Sequence, residues 1–353
     1  MILLENYGWN IFHQQNYNTH KIEGQSVGRV ISVKGFKYDL ITANGELETE
    51  LSGKLLFGAD SENLPKIGDW VCYLDYGQTG YIITVLPRTN LLSRKNPGSK
   101  TEKQILGVNI DYALIVQGLD RDFNLMRLER YLTQITACGI KALVILNKAD
   151  LVDNLDYYRQ EILKLKRDCK VFFCSTLTGF GMQELKDAFE ISKTYILAGS
   201  SGVGKSSLLN ILMDAPIQRI NSTSNWNNKG THTTTRRDLF QLPNGSLLID
   251  TPGMREFGLT SEEGENSGSL FPAIEEFAHS CRYTDCKHVN EVGCSVIDAV
   301  QTGTLDSIIY ESYIKLIKEQ KRFEIKIEDK KRLGKQFGKM TREAKNYRKK
   351  YKY

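Results

Sequence analysis

The chain has 353 residues, of which 41% are hydrophobic and 25% charged, as in an ordinary globular protein with room for two or three domains. It has no run of ~18–20 apolar residues, so no membrane-spanning helix is predicted. Residues 1–6 lack the basic start of a secretory signal, and we expect a cytoplasmic protein. The net charge of +5 is concentrated in residues 331–353, where ten Lys or Arg accompany one acid, Glu343. Such a tail is typical of segments that bind nucleic acid, although it can also serve only solubility.

The chain begins with a polar arm, residues 1–24, and continues with short strands in residues 25–90. Asn44-Gly45 lies where a two-residue hairpin turn is expected. Five strands in ~60 residues without helical periodicity predict a small β-barrel of the OB or SH3-like kind. The predicted strands are Val27–Val33, Tyr38–Thr42, Glu46–Leu51, Asp69–Leu74 and Tyr81–Leu86. OB barrels often bind nucleic acid, but many are only scaffolds, so the barrel alone does not indicate a function.

Residues 91–262 alternate between apolar strands and helices, which predicts a mostly parallel sheet covered by helices. The predicted strands are Tyr112–Val116, Ala142–Leu146, Val171–Cys174, Thr194–Ala198, Leu239–Leu242 and Leu247–Ile249. Helices are predicted at Leu125–Thr136, Tyr157–Lys166, Met182–Phe189 and Lys205–Met213. This part is therefore predicted to be an α/β nucleotide-binding domain.

A complete P-loop follows one of these strands and opens a helix. Its glycines let backbone N–H groups surround phosphates, Lys205 reaches the β- and γ-phosphates, and Ser206 is the expected Mg²⁺ ligand. The residues are Gly199, Ser200, Ser201, Gly202, Val203, Gly204, Lys205, Ser206 and Ser207. The P-loop predicts a nucleotide hydrolase or transferase but does not choose between ATP and GTP.

A second motif, at the end of another strand, favours GTP over ATP: Asn147-Lys148-Ala149-Asp150. The Asp150 carboxylate can accept both hydrogen bonds from guanine N1–H and its 2-amino group, which adenine does not offer in that geometry. Ser175 follows the next strand and is a weaker candidate for a second guanine contact through its backbone. The motifs together predict GTP with Mg²⁺ as the bound nucleotide.

Asp250-Thr251-Pro252-Gly253 resembles a γ-phosphate switch. Asp250 would hold Mg²⁺ through water, and the Gly253 N–H would sense the γ-phosphate. A Ser/Thr/Asn-rich stretch from residue 221 suits a mobile switch loop, in which Thr234, or one of its neighbours Thr233 and Thr235, could complete the Mg²⁺ shell.

The motifs occur in an unusual order, because Asn147 precedes Gly199 and Asp250 comes last. All of them can still occupy the same strand ends if the domain is circularly permuted. The Asp250–Gly253 switch would then lead directly into the C-terminal part, so nucleotide state is predicted to bias its position.

Residues 263–330 contain a cysteine cluster and few strand signals. Cys281, Cys286, His288 and Cys294 match a closed tetrahedral site for one structural zinc ion, while unmetallated cysteines or a catalytic metal are the alternatives. His279 lies nearby but is not needed to complete the set. A helical stripe of Ile309, Tyr313, Leu316 and Ile317 predicts packing within a mostly α-helical domain.

The permuted motifs, the barrel and the zinc ligands together closely resemble the RsgA (YjeQ) family of ribosome small-subunit-dependent GTPases, over residues 25–325. The quoted motifs carry this resemblance, together with His232-Thr233-Thr234-Thr235. It implies a GTP hydrolase that binds the small (30S) ribosomal subunit and its rRNA as a late assembly factor. It also implies that His232 orients the attacking water, since Met254 stands where Ras-like enzymes have glutamine.

We therefore expect a monomeric GTPase, binding GTP or GDP, with Lys205 and His232 as catalytic residues and no membrane contact. Two alternatives remain: an RNA-binding regulatory GTPase that acts on a different structured RNA, and a metabolic P-loop enzyme such as an ATP-dependent kinase.

Overall fold

The computed structural model describes residues 2–20, 22–58, 60, 62–77, 79–95, 103–120, 122–200, 202–214, 237–250, 271–284, 286–311, 313–315 and 317. The predictions for Ser201, His232, Thr233–Thr235, Gly253, Leu316 and the basic tail lie outside these residues. The described part contains a barrel, an α/β domain and a small helical domain, as predicted.

The barrel is formed by five strands, with one short helix, α2, between the third and the fourth. Their bounds are Ser26–Lys34 (β1), Lys37–Thr42 (β2), Gly45–Leu51 (β3), Gly53–Gly58 (α2), Trp70–Asp75 (β4) and Gly80–Val85 (β5). Antiparallel pairing of β1 with β4 and parallel pairing of β3 with β5 close the barrel around Val30, Leu40 and Ile82. Thr42 pairs with Gly45, so Ala43 and Asn44 form the hairpin turn, one residue earlier than predicted.

A two-stranded hairpin that the sequence did not reveal connects the barrel to the α/β domain. It consists of Leu91–Lys95 (β6) and Lys103–Val108 (β7). Leu92 and Leu106 from this hairpin are buried in the main core of the α/β domain.

The α/β domain contains six strands in the order β10-β9-β8-β11-β13-β12, parallel except for the last. The strands are Tyr112–Gly118 (β8), Lys141–Asn147 (β9), Lys170–Phe173 (β10), Thr194–Ala198 (β11), Arg237–Gln241 (β12) and Leu247–Asp250 (β13). The helices are Leu125–Ala137 (α3), Leu155–Leu163 (α4), Met182–Asp187 (α5) and Lys205–Leu212 (α6), with a 3₁₀ turn at Ala149–Leu151. Because the strands are parallel, the residues after β8, β9, β10 and β11 meet at one edge of the sheet.

The barrel and the α/β domain belong to one hydrogen-bonded sheet. β12 pairs antiparallel with β1, where Ser32 lies opposite Asp238 and Val33 opposite Arg237. The sheet therefore continues through eleven strands of the described chain, from β10 to β4.

The C-terminal part contains Pro272–Ala278 (α7), Ser295–Gln301 (α8) and a further helical stretch from residue 307. Its apolar residues, among them Phe271, Val296 and Ile309, share one core with α3 and the central strands. The Phe271 and Tyr313 rings meet edge to face at 5.3 Å. Ile309 and Tyr313 thus pack within this domain, as their spacing predicted.

The N-terminal arm is more ordered than its polar composition suggests. It contains a 3₁₀ turn, Leu4–Tyr7, and a ten-residue helix, Ile11–His20 (α1). Trp9 packs edge to face on Trp70 of the barrel at 4.6 Å, and His13 is buried beside both rings. Two aromatic contacts therefore fix a helix that lacks an apolar stripe.

Candidate nucleotide and metal sites

The P-loop lies between β11 and α6 with the backbone that phosphate binding requires. Gly199 has φ +143°, and a Cβ on it would lie 2.2 Å from the carbonyl oxygen of Val116. Gly204, with φ +97°, would place a Cβ 2.2 Å from Asn147 Nδ2. Only glycine fits these two positions without displacing backbone or a buried amide. Gly202 and Val203 lie between them, and Ser206 and Ser207 are exposed in the first turn of α6.

Lys205 points back over this loop. Its Nζ donates to the carbonyl oxygens of Gly199, at 2.7 Å, and of Ser200. Burial lowers the pKa of Lys205, while the Asp122 and Asp250 carboxylates oppose that shift. The ammonium group is therefore placed to exchange these carbonyls for phosphate oxygens.

Asn147 joins the guanine motif to the P-loop. Its side chain is fully buried, and Nδ2 donates to the Val203 carbonyl at 2.8 Å. Its Oδ1 accepts from the Thr176 backbone N–H at 3.0 Å. One amide thus fixes the strand ends of β9, β10 and β11 relative to one another, although their motifs are permuted in the sequence.

Asp150 presents an exposed carboxylate beside Ser175. The Ser175 hydroxyl donates to Asp150 Oδ1, and the neighbouring Ala149 N–H donates to the Cys174 carbonyl at 3.0 Å. The Ser175 N–H itself donates to the Phe180 carbonyl at 2.9 Å. In this structure Ser175 therefore orients the Asp150 carboxylate through its hydroxyl, and the predicted backbone contact with guanine stays a prediction.

Sequence reasoning missed two contacts with the nucleotide motifs: the loop between β8 and α3 contacts the guanine motif, and helix α3 contacts the P-loop. Asp120 forms an ion pair with Lys148 Nζ at 2.6 Å, and the Tyr131 side chain is hydrogen-bonded to that of Ser200. Asp122 pairs with Arg127 at 2.8 Å. These residues carry no motif, and only the position of Asp120 directly after a buried strand could have indicated them.

Asp250 ends β13 at the same edge of the sheet and acts electrostatically on Lys205. A carboxylate here, with the Ser206 hydroxyl in the first turn of α6, supplies the hard oxygen ligands that Mg²⁺ prefers. The described residues therefore bring together the predicted candidates of the P-loop, the guanine motif and Asp250.

The three cysteines and His288 form a compact cluster. The ligand atoms of Cys281, Cys286, His288 and Cys294 all lie within 4.8 Å of one another. Cys281 Sγ and Cys294 Sγ are 3.9 Å apart, and His288 Nδ1 lies 3.5 and 3.4 Å from them. Tetrahedral zinc with Zn–S bonds of about 2.3 Å would place sulfurs about 3.8 Å apart. The donor set therefore fits zinc without rearrangement.

His288 is fixed in a ligand geometry. Its backbone has φ +58°, and its carbonyl accepts from the Tyr310 hydroxyl at 2.8 Å. Burial lowers the pKa of His288, which favours the neutral imidazole that metals bind. His279 ends α7 and lies outside the set of four.

The metal-ligand domain contacts the α/β domain through one buried guanidinium and one exposed ion pair. Arg167, before β10, donates to Glu129 at 2.7 Å and to Thr133 at 2.8 Å, both on α3. Its guanidinium also lies over the Phe271 ring, 5.8 Å from the centroid. On the surface, Lys166 pairs with Glu276 of α7.

None of the helices in the described ranges is both long and apolar enough to cross a membrane.

Comparison with known proteins places these features in one family. The family model for the RsgA GTPase matches residues 85–260. The chain is 36% identical over 342 residues to "Small ribosomal subunit biogenesis GTPase RsgA 1" of Bacteroides thetaiotaomicron, covering 96% of each chain. It is 39% identical to the RsgA of Syntrophotalea carbinolica, covering 88% of each.

Two crystal structures share the fold. YjeQ from Thermotoga maritima aligns with a TM-score of 0.61 at 27% identity, covering 84% of this chain and 98% of that one. YloQ, described as a circularly permuted GTPase, aligns with the same TM-score at 25% identity, covering 86% and 97%. With its barrel, its permuted nucleotide site and its zinc-type cluster, the chain belongs to the RsgA GTPase family.

Proposed function

We propose that this chain hydrolyses GTP to GDP and phosphate on the small (30S) ribosomal subunit and acts late in the assembly of that subunit. The main support for the proposal is the hydrogen bond from Asn147 to the Val203 carbonyl. It joins the guanine motif to the P-loop, although the guanine motif comes first in this sequence. Two relatives are named as biogenesis GTPases of the small ribosomal subunit, which supports the partner.

Guanine selectivity rests on Asp150. Its carboxylate accepts from guanine N1–H and the 2-amino group, while the Ser175 hydroxyl holds one of its oxygens in place. Adenine lacks these paired donors, so it would leave the carboxylate unsatisfied. Lys148, which forms an ion pair with Asp120, would lie beside the bound nucleotide.

The phosphates lie in the P-loop, with Lys205 on the β- and γ-oxygens. Ser206 and Asp250 would hold Mg²⁺, with Thr234 as a further candidate ligand, and the ion would supply positive charge beside the transferring phosphoryl group. In this proposal the Gly253 N–H would contact the γ-phosphate, and His232 would orient the attacking water. Water adds to the γ-phosphorus as the bond to the β–γ bridging oxygen breaks, releasing GDP and phosphate.

One structural zinc ion, held by the cluster of three cysteines and His288, fixes the C-terminal domain. We divide the chain into an arm (1–24), a barrel (25–90), the GTPase domain (91–262), the zinc domain (263–330) and a basic tail (331–353). The barrel, the zinc domain and the tail dock on rRNA, the chain is a monomer, and nucleotide state changes its affinity for the subunit. Its place of action is the cytoplasm, where bacterial subunits are assembled.

Measurement of GTP turnover with and without purified small subunits tests this function. We expect slow intrinsic hydrolysis, because no glutamine follows Gly253, and a clear increase with subunits. Equal turnover in both conditions would contradict it. Stimulation by unrelated structured RNA to the same extent would favour the alternative of a GTPase that acts on another RNA, and hydrolysis of ATP in competition with GTP would favour a kinase-like enzyme.

Pelleting with subunits tests the switch. We expect binding to differ between GDP and a non-hydrolysable GTP analogue. Equal binding with either nucleotide or with none would exclude a nucleotide-dependent affinity.

A further inference from the structure

A polar cavity lies far from the nucleotide site, where the N-terminal arm, the barrel and the amino end of the parallel sheet meet. Its volume is about 320 Å³. Its mouth includes the exposed residues Glu5, Asn10 and Lys141, and its floor includes the buried residues Arg29 and His13. Part of this cavity is therefore open to solvent, and its buried lining combines the cation Arg29 and the polar His13 with the apolar Trp9 and Ile110.

Arg29 at the floor is 1% exposed and donates only to neutral acceptors. Nε donates to the Gly68 carbonyl, Nη1 to that of Tyr7, and Nη2 to the Asn109 carbonyl and Thr194 Oγ1. A guanidinium has five N–H groups, so one on Nη1 is left over.

No carboxylate of the described residues forms an ion pair with Arg29. The nearest acids that act on it are Asp111 and Asp69, and each already has a partner. Asp69 pairs with Arg88 at 2.8 Å, and Asp111 with Lys193 at 3.2 Å. A buried cation without its own counter-ion is costly, and an anion in the cavity would relieve that cost.

His13 supplies a second unsatisfied group. It is 2% exposed, and its Nδ1 is buried without a hydrogen-bond partner in the described structure. Burial, followed by the charge of Arg29, lowers the pKa of His13 to about 4, so the ring is neutral at physiological pH. A neutral imidazole retains one N–H, which can lie on Nδ1 and is left there without an acceptor.

We propose that this cavity is a binding site for an oxyanion of the phosphate class, held by Arg29 and His13 at its floor and by Lys141 at its mouth. Three cations line the cavity, Arg29, Lys141 and Lys193, against two acids, Glu5 and Asp111. Of these acids, Glu5 is exposed and Asp111 is neutralised by Lys193. Since Tyr7 and His13 belong to the arm, a bound anion would also fasten the arm to the α/β domain.

The test must keep phosphate out of the P-loop, which is itself an anion site. The full-length protein is therefore saturated with Mg²⁺ and a non-hydrolysable GTP analogue, which fills the γ-position. Inorganic phosphate is then titrated by calorimetry at constant ionic strength, because screening alone changes weak anion binding. We expect saturable binding of one phosphate per chain. Non-saturable heats would overturn the proposal.

His13→Phe keeps an aromatic ring beside the two tryptophans but removes both imidazole nitrogens. We expect it to weaken phosphate binding about tenfold, the usual effect of losing one hydrogen bond to a charged group. His20→Phe is the matched control, since His20 lies on the same helix with its Nδ1 2.7 Å from the Asn16 carbonyl, outside the cavity. Unchanged binding in His13→Phe, or equal weakening in both variants, would overturn the proposal.

If His13→Phe does not fold, Lys141→Gln at the exposed mouth tests whether the cavity binds phosphate. We expect binding to weaken at least about threefold, because a charge-assisted contact is lost. Unchanged affinity in this variant would contradict the site.

Dimethyl phosphate distinguishes the source of the anion. Binding as tight as that of inorganic phosphate assigns the site to phosphodiesters such as an RNA backbone. Selective binding of inorganic phosphate assigns it to the free ion.

Discussion

Asp120 and Lys148 form an ion pair with 2.6 Å between Oδ2 and Nζ, which anchors the lysine of the guanine motif to the loop after β8. The Lys148 backbone is left-handed, with φ +65°, so its side chain approaches from an unusual direction. The other oxygen of Asp120 accepts from the Asp122 N–H at 3.0 Å and fixes the loop. The β8–α3 loop is therefore a third component of the nucleotide site.

Asp120→Asn should weaken binding of GDP and GTP about three- to tenfold, because Lys148 loses its ionic partner in a half-exposed setting where pairs contribute ~1 kcal/mol. The turnover number at saturating GTP should stay within about twofold, since the phosphates are not touched. Titration with a fluorescent GDP derivative measures the effect. Asp156→Asn, which removes an acid that is 91% exposed on α4, is the matched control. Unchanged affinity in Asp120→Asn would show that the ion pair has no role in binding.

Asp150→Asn should change the base preference of the nucleotide site from guanine to xanthine. The amide oxygen can still accept one hydrogen bond, but its NH₂ opposes the guanine 2-amino group and matches the 2-oxo group of xanthine. GTP binding should fall by at least about a hundredfold, while XTP should bind better than GTP. Competition of both nucleotides against a labelled analogue measures this. A variant that still prefers GTP would remove Asp150 from the base-reading site.

Cys294→Ser should release the zinc ion and destabilise the C-terminal domain. Cys294 is buried, and its sulfur lies 3.9 Å from that of Cys281 and 3.4 Å from His288 Nδ1. Metal content by mass spectrometry and thermal unfolding measure the two effects. Cys138→Ser replaces a partly buried cysteine that is not in the cluster, so it should keep its zinc. Full zinc content in Cys294→Ser would contradict the assignment.

Arg167→Met should destabilise the protein by about 3 kcal/mol at neutral pH, because it leaves Glu129 buried without its cation. Burial raises the pKa of Glu129, against the opposing effect of Arg167. When folding raises the pKa of a carboxyl, that group stabilises the folded protein at pH values below its unfolded-state pKa. This contribution is lost as the pH rises through the folded-state pKa. The defect of Arg167→Met should therefore shrink as the pH falls through the raised pKa of Glu129. Urea denaturation at pH 7.5 and 5 measures this, and an equal defect at both values would contradict it.

The residue clusters that depend on local spacing could be predicted from the sequence. The P-loop, the guanine motif and the zinc ligands each occupy a short segment, so their residue types and intervals define them. The barrel strands alternate between inward and outward residues, and their predicted ends agree with the structure to within about two residues.

Features that depend on contacts between distant segments could not be predicted. Tyr131 reaches Ser200 only because β8 and β11 are neighbours in the sheet. The apolar–polar alternation of β1 does not indicate that Arg29 is buried. Its hydrogen-bond acceptors come from residues 7, 68, 109 and 194, which are distant in the sequence. The helix α1 is fixed by Trp9 and Trp70 rather than by its own periodicity.

The pairing of β12 with β1 has a mechanical consequence. β12 follows Thr234 in the sequence, and it is hydrogen-bonded to the first strand of the barrel through Ser32 and Val33. Because β12 and β1 share one hydrogen-bonded ladder, a displacement of β12 would be transmitted to the barrel. The barrel would then report the state of the γ-phosphate without touching it, and shortening this two-residue ladder would uncouple sensing from hydrolysis.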